Sequence, residues 1–196
     1  MNLSGLLRSQ VFMPIKVASF FHPFILLAGL VGAGFFTTST LHAEEYLLDR
    51  ASLGYQVQYL DDWDIQIGEP GDGIDAYFSH TSPEIEVNIA VVQAPPNVET
   101  VEKDLVTMVA DETQKLYKEV MGFTSEVATW KEKPAAYYTF SGLLTGDREE
   151  DIRSYNKQYI VLHAGRFYVI TIVTAESDLE KAREVWKVFL DHLKFV

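Results

Sequence analysis

The chain of 196 residues contains no cysteine. Thiol nucleophiles, disulfides, cysteine zinc sites and iron–sulfur clusters are therefore excluded, and the fold must be stable through its core alone. The seven prolines and twelve glycines are too few for a collagen-like or linker-like chain. With 47% hydrophobic and 22% charged residues, the composition is that of a folding chain.

Basic residues are also scarce, and their distribution is uneven. The first 43 residues carry Arg8 and Lys16 and no acid, which leaves 14 basic and 28 acidic side chains from Glu44 onward. An acidic body of this kind repels phosphate backbones, and no basic stripe alternates with aromatic residues. We therefore expect no nucleic-acid binding, and we interpret the acids mainly as a solvated surface.

Recognisable catalytic motifs are missing as well. The chain contains no Gly-x-Ser-x-Gly elbow and no glycine-rich phosphate loop after a strand. We accordingly assign no catalytic, cofactor-binding or metal-ligating residue, and we expect no cofactor.

The N-terminal segment has the order of a secretory signal. A basic start precedes an apolar run of 13 residues at 24–36, and a Ser/Thr-rich stretch then leads to Ala43. The run is shorter than the ~20 residues that cross a bilayer. We predict that residues 1–43 are a signal peptide cleaved after Ala43, and that the mature protein is periplasmic or secreted. The alternative is an uncleaved inner-membrane anchor over about residues 17–36, with the domain facing the periplasm.

Residues 44–196 are predicted to form a single α+β domain. Period-two alternation predicts strands, joined as an antiparallel meander, at 46–49, 55–59, 63–67, 75–79 and 84–93. Apolar spacings of three, four and seven then predict a helix of about 20 residues at 98–120, which Pro96-Asn97 starts and Gly122 ends. Later strands are predicted at 123–133, 135–144, 152–163 and 167–174. The last two are apolar at both parities, which predicts central positions in the sheet.

A final amphipathic helix is predicted at 178–192, with Ser177 as its N-cap. The predicted architecture is therefore an antiparallel β-sheet with helices packed on it. Trp63 and Trp186 fall on the apolar side of their strand and helix, and we expect both to be core residues.

Several polar side chains are candidates for a metal or docking site, and each also has a structural interpretation. His80, with Asp75 and Glu84 near in sequence, is the best single metal candidate, whereas His163 and His192 are interpreted as structural. Acidic groups at 61–64 and 147–151 suit a hard cation but lack EF-hand spacing, so solvation is favoured. The charged hairpin segment 146–153 is a possible docking site for a basic partner surface. Most aromatic residues, among them the Tyr137-Tyr138 and Phe167-Tyr168 pairs, are expected in the core, although the tyrosines of a two-sided strand can instead line a groove.

The run LGYQVQYLDDWDI at residues 53–65 resembles the opening of the PsbP and DcrB-like domain group. That opening is a short Gly-aromatic strand, then Tyr-Pro-x-x-Trp, then a second strand, and here Leu60 stands where proline is usual. The order of the later features is similar too: a long helix after a Pro-containing loop, the segment KPAAY at 133–137, a long hairpin and a C-terminal amphipathic helix.

The resemblance implies an α/β/α sandwich in an extracytoplasmic setting. It also implies an accessory or assembly factor that acts on a protein partner, such as a larger envelope or membrane complex, and not an enzyme. No acyl-anchoring cysteine or plastid segment is present to support the plant photosystem role of the family. The alternative from a different class is an envelope enzyme whose site is built from dispersed Asp, Glu and His residues.

Overall fold

The computed structural model describes residues 45–68, 73–115, 117–144 and 153–196. The predicted signal segment and nearly all of the charged hairpin segment lie outside them. The strands are β1 (Glu45–Arg50), β2 (Tyr55–Leu60), β3 (Trp63–Ile67), β4 (Ala76–Thr81), β5 (Glu84–Gln93), β6 (Tyr117–Trp130), β7 (Lys133–Leu144), β8 (Arg153–His163), β9 (Arg166–Ala175) and β10 (Leu193–Phe195). The α-helices are α1 (Lys103–Gln114) and α2 (Leu179–His192).

Seven strands form an antiparallel sheet in the order β3-β4-β5-β9-β8-β7-β6. Strands β8 and β9 occupy interior positions of this sheet, which confirms the prediction made from their apolar residues at both parities. A second, three-stranded sheet has the order β1-β2-β10.

The two helices pack on opposite faces of the large sheet. On β8, Val161 belongs to the apolar cluster that contains the buried residues of α2, whereas Ile160 and Leu162 belong to the cluster that contains those of α1. Successive strand residues point to opposite faces, so the two clusters lie on the two sides of the sheet. The predicted α/β/α sandwich is therefore confirmed.

The cluster on the α2 side contains the two tryptophans that the sequence places in the core. Trp63 is 8% exposed and Trp186 is 6% exposed, which confirms that prediction. The ring of Phe189 on α2 lies 4.8 Å, centroid to centroid, from Trp63 and from Phe78. The small sheet joins the same cluster through residues such as Tyr55.

The predicted meander is divided between the two sheets. Strands β3, β4 and β5 pair in succession, but β2 pairs with β1 on one side and with β10 on the other. Strand β10 was not predicted, because Leu193 continues the apolar stripe of α2 and a three-residue strand has no periodicity of its own. Its pairing with β2, Leu193 opposite Val57, is a long-range contact that a local pattern does not reveal.

The prediction of a helix over 98–120 is wrong at both ends. Helix α1 spans Lys103–Gln114, and Tyr117 already begins β6. The Tyr117 ring packs edge-to-face on Phe140 at 4.9 Å, and its hydroxyl donates to Asn156 Oδ1 at 2.5 Å. These tertiary contacts outweigh the helical spacing. Gly122 lies inside β6 with a φ of 63°, at an irregularity in the pairing with β7, and does not end a helix.

Two further boundaries differ from prediction. Strand β6 ends at Trp130, three residues before the predicted end, because Lys131 and Glu132, both at positive φ, form the turn to β7. Ser177 lies in a 3₁₀ turn, Glu176–Asp178, and α2 begins after Asp178 without a side-chain cap. The Ser177 capping prediction is therefore wrong.

The β6–β7 turn is attached to the C-terminal end of α2 through Lys131. Its Nζ donates to the carbonyl oxygens of Leu190 at 2.7 Å, Asp191 at 2.9 Å and Leu193 at 2.6 Å. The last carbonyls of a helix lack intrahelical partners, and a cation there also complements the helix dipole.

Replacing Lys131 with methionine should lower the free energy of unfolding by about 1–3 kcal/mol, because it removes charge-assisted hydrogen bonds and keeps the aliphatic stem. Urea denaturation of the variant measures the loss. Lys187→Met, on the exposed side of α2, is the control. An equal effect of the two substitutions would contradict the capping role of Lys131.

Candidate functional site

Helix α2 covers part of one face of the large sheet and leaves another part open. It lies over β5 and β9 and beside β2 and β10. Toward β8, β7 and β6 the same face carries half-buried side chains. We name this surface the Tyr–Lys shelf and define it by Trp130, Tyr137, Thr139, Tyr155, Lys157 and Tyr159.

Strand geometry assembles the shelf. Tyr155, Lys157 and Tyr159 alternate along β8 and therefore point to the same face. The antiparallel register places Tyr137 opposite Tyr159 and Thr139 opposite Lys157. The intervening β8 residues, such as Asn156 and Gln158, are buried on the α1 side.

Aromatic rings contact one another along the shelf. The ring centroids of Tyr137 and Tyr159 are 6.0 Å apart, and those of Trp130 and Tyr159 are stacked at 5.3 Å. Tyr155 stacks on Trp186 of α2 at 5.9 Å, so the helix forms one wall. Burial raises the pKa of Tyr159 to about 12.

Lys157 lies at the centre of this aromatic surface. Its Nζ is 5.0 Å from the ring centroids of both Tyr137 and Tyr159, which is within the range of cation–π interaction. Burial lowers the pKa of Lys157. No carboxylate in the described ranges forms an ion pair with it.

The outer rim of the shelf on β6 is polar. The Tyr137 hydroxyl donates to the Glu126 carboxylate, and this hydrogen bond is the main cause that raises the pKa of Tyr137. The hydroxyl oxygens of Thr124 and Thr139 are 2.8 Å apart. The shelf thus combines aromatic faces, hydroxyls and one ammonium group, which is the chemistry of a binding surface.

The metal candidate His80 is a buried structural residue. Its Nδ1 lies 2.8 Å from the carbonyl oxygen of Pro83, and its Nε2 lies 3.1 Å from Asp62 Oδ2. Both ring nitrogens are therefore engaged. The neighbouring candidate Asp75 instead accepts hydrogen bonds from Arg50 and Tyr55. Within the described ranges, no three His, Asp or Glu side chains converge as a metal site requires.

The remaining candidates from the sequence are the acids at 61–64, His163 and the segment 146–153. The acids at 61–64 are exposed, Asp62 Oδ2 lies 3.1 Å from His80 Nε2, and among the described residues they form no group of three that could hold a metal ion. His163 packs on Phe195 at 5.5 Å between ring centroids, a structural position. The acidic group at 147–151 lies outside the described residues, and docking through 146–153 stays a prediction. Arg153, the last residue of that segment, pairs with Glu119 and Glu176.

Sequence reasoning found only part of the shelf. It left open that tyrosines of a two-sided strand line a groove, and it named Tyr137 and Tyr138 together among the mostly core aromatic residues, but these two lie on opposite faces. Tyr138 is fully buried, and its hydroxyl is 2.8 Å from Thr113 Oγ1 and 2.7 Å from Gln158 Oε1. The Tyr-x-Lys-x-Tyr alternation of β8 was the available signal for Lys157. It was not used, because the sequence does not say how far α2 extends across the sheet.

Neither a family model nor a curated protein matches the chain. The structure is similar to the solution structure of cyanobacterial PsbP (CyanoP) from Synechocystis sp. PCC 6803, with a TM-score of 0.57 and 14% identity over 87% of this chain and 99% of that one. The chain has a PsbP-like fold. This finding confirms the structural part of the resemblance to the PsbP and DcrB-like group.

Two other solved structures are similar to this chain. The Saccharomyces cerevisiae Ran-binding protein Mog1p has a TM-score of 0.51 at 6% identity, over 79% of this chain and 96% of that one. LpqN of Mycobacterium tuberculosis, described as involved in cell envelope biogenesis, has a TM-score of 0.49 at 12% identity, over 79% and 92%. At 6% identity, the likeness to Mog1p establishes the fold alone.

Proposed function

We propose that this chain is an exported, non-enzymatic accessory domain that binds a protein partner through the Tyr–Lys shelf. The observation that carries the proposal is the cluster of half-buried tyrosines around Lys157 on a sheet face that α2 leaves open. Tyrosine and tryptophan are enriched at protein interfaces, where they contribute large contact areas at low entropic cost.

The fold is compatible with this role. Mog1p, which has a similar fold, is described as a Ran-binding protein, so a chain of this architecture serves as a protein-binding module elsewhere. The choice of surface and partner does not follow from the fold and rests on the shelf itself.

The enzymatic alternative has less support. A groove of about 770 Å³ lies between α1 and β6 and is open to solvent. Asp104, Asp111 and Glu112 line it, and Lys115 Nζ bonds Glu112 at 2.7 Å. The lining residues include no histidine and no serine, so the groove lacks the usual nucleophile and base pair.

Export is tested by the mass of the product. Among the described residues, no helix is long and apolar enough to span a bilayer. We propose, from the order of the N-terminal segment, that cleavage follows Ala43. The intact mass of the protein recovered from the envelope should then correspond to a chain that begins at Glu44. Recovery of the uncleaved chain from the membrane fraction would support the anchor instead.

Partner binding is tested by site-specific photocrosslinking in the native envelope. A photoreactive residue at Thr139 should give a discrete adduct, whereas one at Thr107, exposed on α1 across the sheet, should not. Tyr137→Ala should reduce the Thr139 adduct by about tenfold, because a central aromatic contact typically carries more than 1 kcal/mol. The melting temperature should change little. Equal adducts at both positions, or no effect of Tyr137→Ala, would contradict the shelf as the binding surface.

A further inference from the structure

We propose that the Tyr–Lys shelf recognises an acidic side chain in a partner segment, flanked by apolar residues, with Lys157 as the group that binds the carboxylate. This inference rests on the proposed function and specifies the chemistry of the partner.

Lys157 is a partly buried cation that lacks a described counter-ion. Among the other partly buried cations, Arg50 pairs with Asp75 and Arg153 with Glu119 and Glu176, whereas Arg166 donates to the carbonyl oxygen of Ser52. Burial lowers the pKa of Lys157, and the nearby positive charge of Arg183 lowers it as well. A desolvated ammonium of this kind is stabilised by an incoming carboxylate more than a fully hydrated one is.

The tyrosine rings hold the ammonium in position. Nζ lies at 5.0 Å from both Tyr137 and Tyr159, which restricts a side chain that otherwise loses much rotamer freedom on binding. The rings do not neutralise its charge. A partner carboxylate that approaches from the open side therefore meets a cation that is already ordered, and this preorganisation reduces the cost of association.

The surroundings favour one acidic residue over a generally acidic partner. The chain carries a formal net charge of −12, which repels acidic proteins at long range. At short range, the Lys157 ammonium places a positive charge among the aromatic rings, whereas the charge of nearby Arg183 is paired with Glu180 at 3.2 Å. The half-buried rings of Tyr155 and Trp130 provide apolar contact area on either side of Lys157. A partner segment with one acidic side chain between apolar residues complements both the Lys157 ammonium and the apolar rings beside it.

The test uses the mature protein and three capped tripeptide probes: acetyl-Leu-Glu-Leu-amide, acetyl-Leu-Gln-Leu-amide and acetyl-Leu-Lys-Leu-amide. Binding is followed by NMR through the amide signals of the shelf strands β7 and β8. The Glu peptide should bind about three- to tenfold more tightly than the Gln peptide, in line with a partly buried ion pair. Raised salt should reduce this preference.

Substitutions test whether Lys157 causes the preference for the Glu peptide over the Gln peptide. Lys157→Met should abolish the difference between the Glu and Gln peptides. Lys181→Met, exposed on α2 and on the opposite flank from Arg183, should preserve it. Lys157→Gln serves the same purpose as the methionine variant if that variant does not fold.

Three results would overturn the inference: equal binding of the Glu and Gln peptides, tighter binding of the Lys peptide, or a preference that persists without Lys157. If one of them occurs while Tyr137-dependent crosslinking at Thr139 persists, the shelf still binds a partner and only the carboxylate recognition fails. If that crosslinking is absent, the proposed function fails.

Discussion

Replacing Trp63 with alanine is expected to lower the free energy of unfolding by about 3–5 kcal/mol. Trp63 is 8% exposed at the start of β3, and its ring lies 4.8 Å from Phe189 and 5.2 Å from His80. Alanine removes the large ring and leaves a cavity between the sheet and α2. The neighbours belong to a sheet and a helix that are already paired, so they cannot collapse freely into the space.

Denaturant titration of Trp63→Ala measures this loss, with Ile67→Ala on the same strand as the matched control. Ile67 is 41% exposed, so its truncation should cost less than about 1 kcal/mol. A comparable loss in the two variants would mean that the Trp63 ring contributes no more than a surface residue, contrary to its position in the cluster.

Removing the carboxylate of Asp75 is expected to cost about 2–4 kcal/mol. Asp75 precedes β4 and accepts a hydrogen bond from Arg50 Nε at 2.9 Å, together with bonds from a second Arg50 nitrogen and from the Tyr55 hydroxyl. Tyr55 is fully buried, and its pKa is raised, first by burial and then by this hydrogen bond. In Asp75→Ala, the buried hydroxyl loses its acceptor and Arg50 loses its counter-ion.

A double-mutant cycle separates these two contributions. Tyr55→Phe removes the hydroxyl that Asp75→Ala leaves without an acceptor, so the double variant should be more stable than the sum of the two single losses implies. Asp64→Ala, an exposed acid on β3, is the control and should change stability by less than about 0.5 kcal/mol. Strict additivity would show that the Tyr55–Asp75 hydrogen bond does not couple the small sheet to the large one.

The type and bounds of an element were predicted correctly where its local sequence pattern agrees with its tertiary environment. The alternation in β5 predicted its bounds of Glu84–Gln93, because one face is buried along most of the strand. The helical stripe failed at Tyr117, where apolar spacing fits a helix as well as a strand and the contact with Phe140 decides between them. Periodicity describes which faces are apolar, not which partner covers them.

The candidate site was less predictable than the fold. Tyr137 and Tyr138 were named together as aromatic residues expected mostly in the core. Nothing local distinguishes Tyr137 from Tyr138, whose hydroxyl donates to Thr113 of α1 on the buried face. Lys157 was not identified, because a lysine in a strand is ordinarily a solvated residue. Its importance depends on Tyr137 and Tyr159, which the β7–β8 register brings to either side of its Nζ.

The sequence by itself determined the α+β class, the interior position of β8 and β9 and the burial of Trp63 and Trp186, because each depends on the hydrophobicity of short, regular patterns. The tertiary structure alone decided the separation of β1, β2 and β10 into a second sheet, the attachment of Lys131 to α2 and the open face beside that helix. These features join residues far apart in the chain. They form only when whole helices and strands are placed correctly relative to one another. The free energy of packing the core determines that placement, and a local sequence pattern does not contain it.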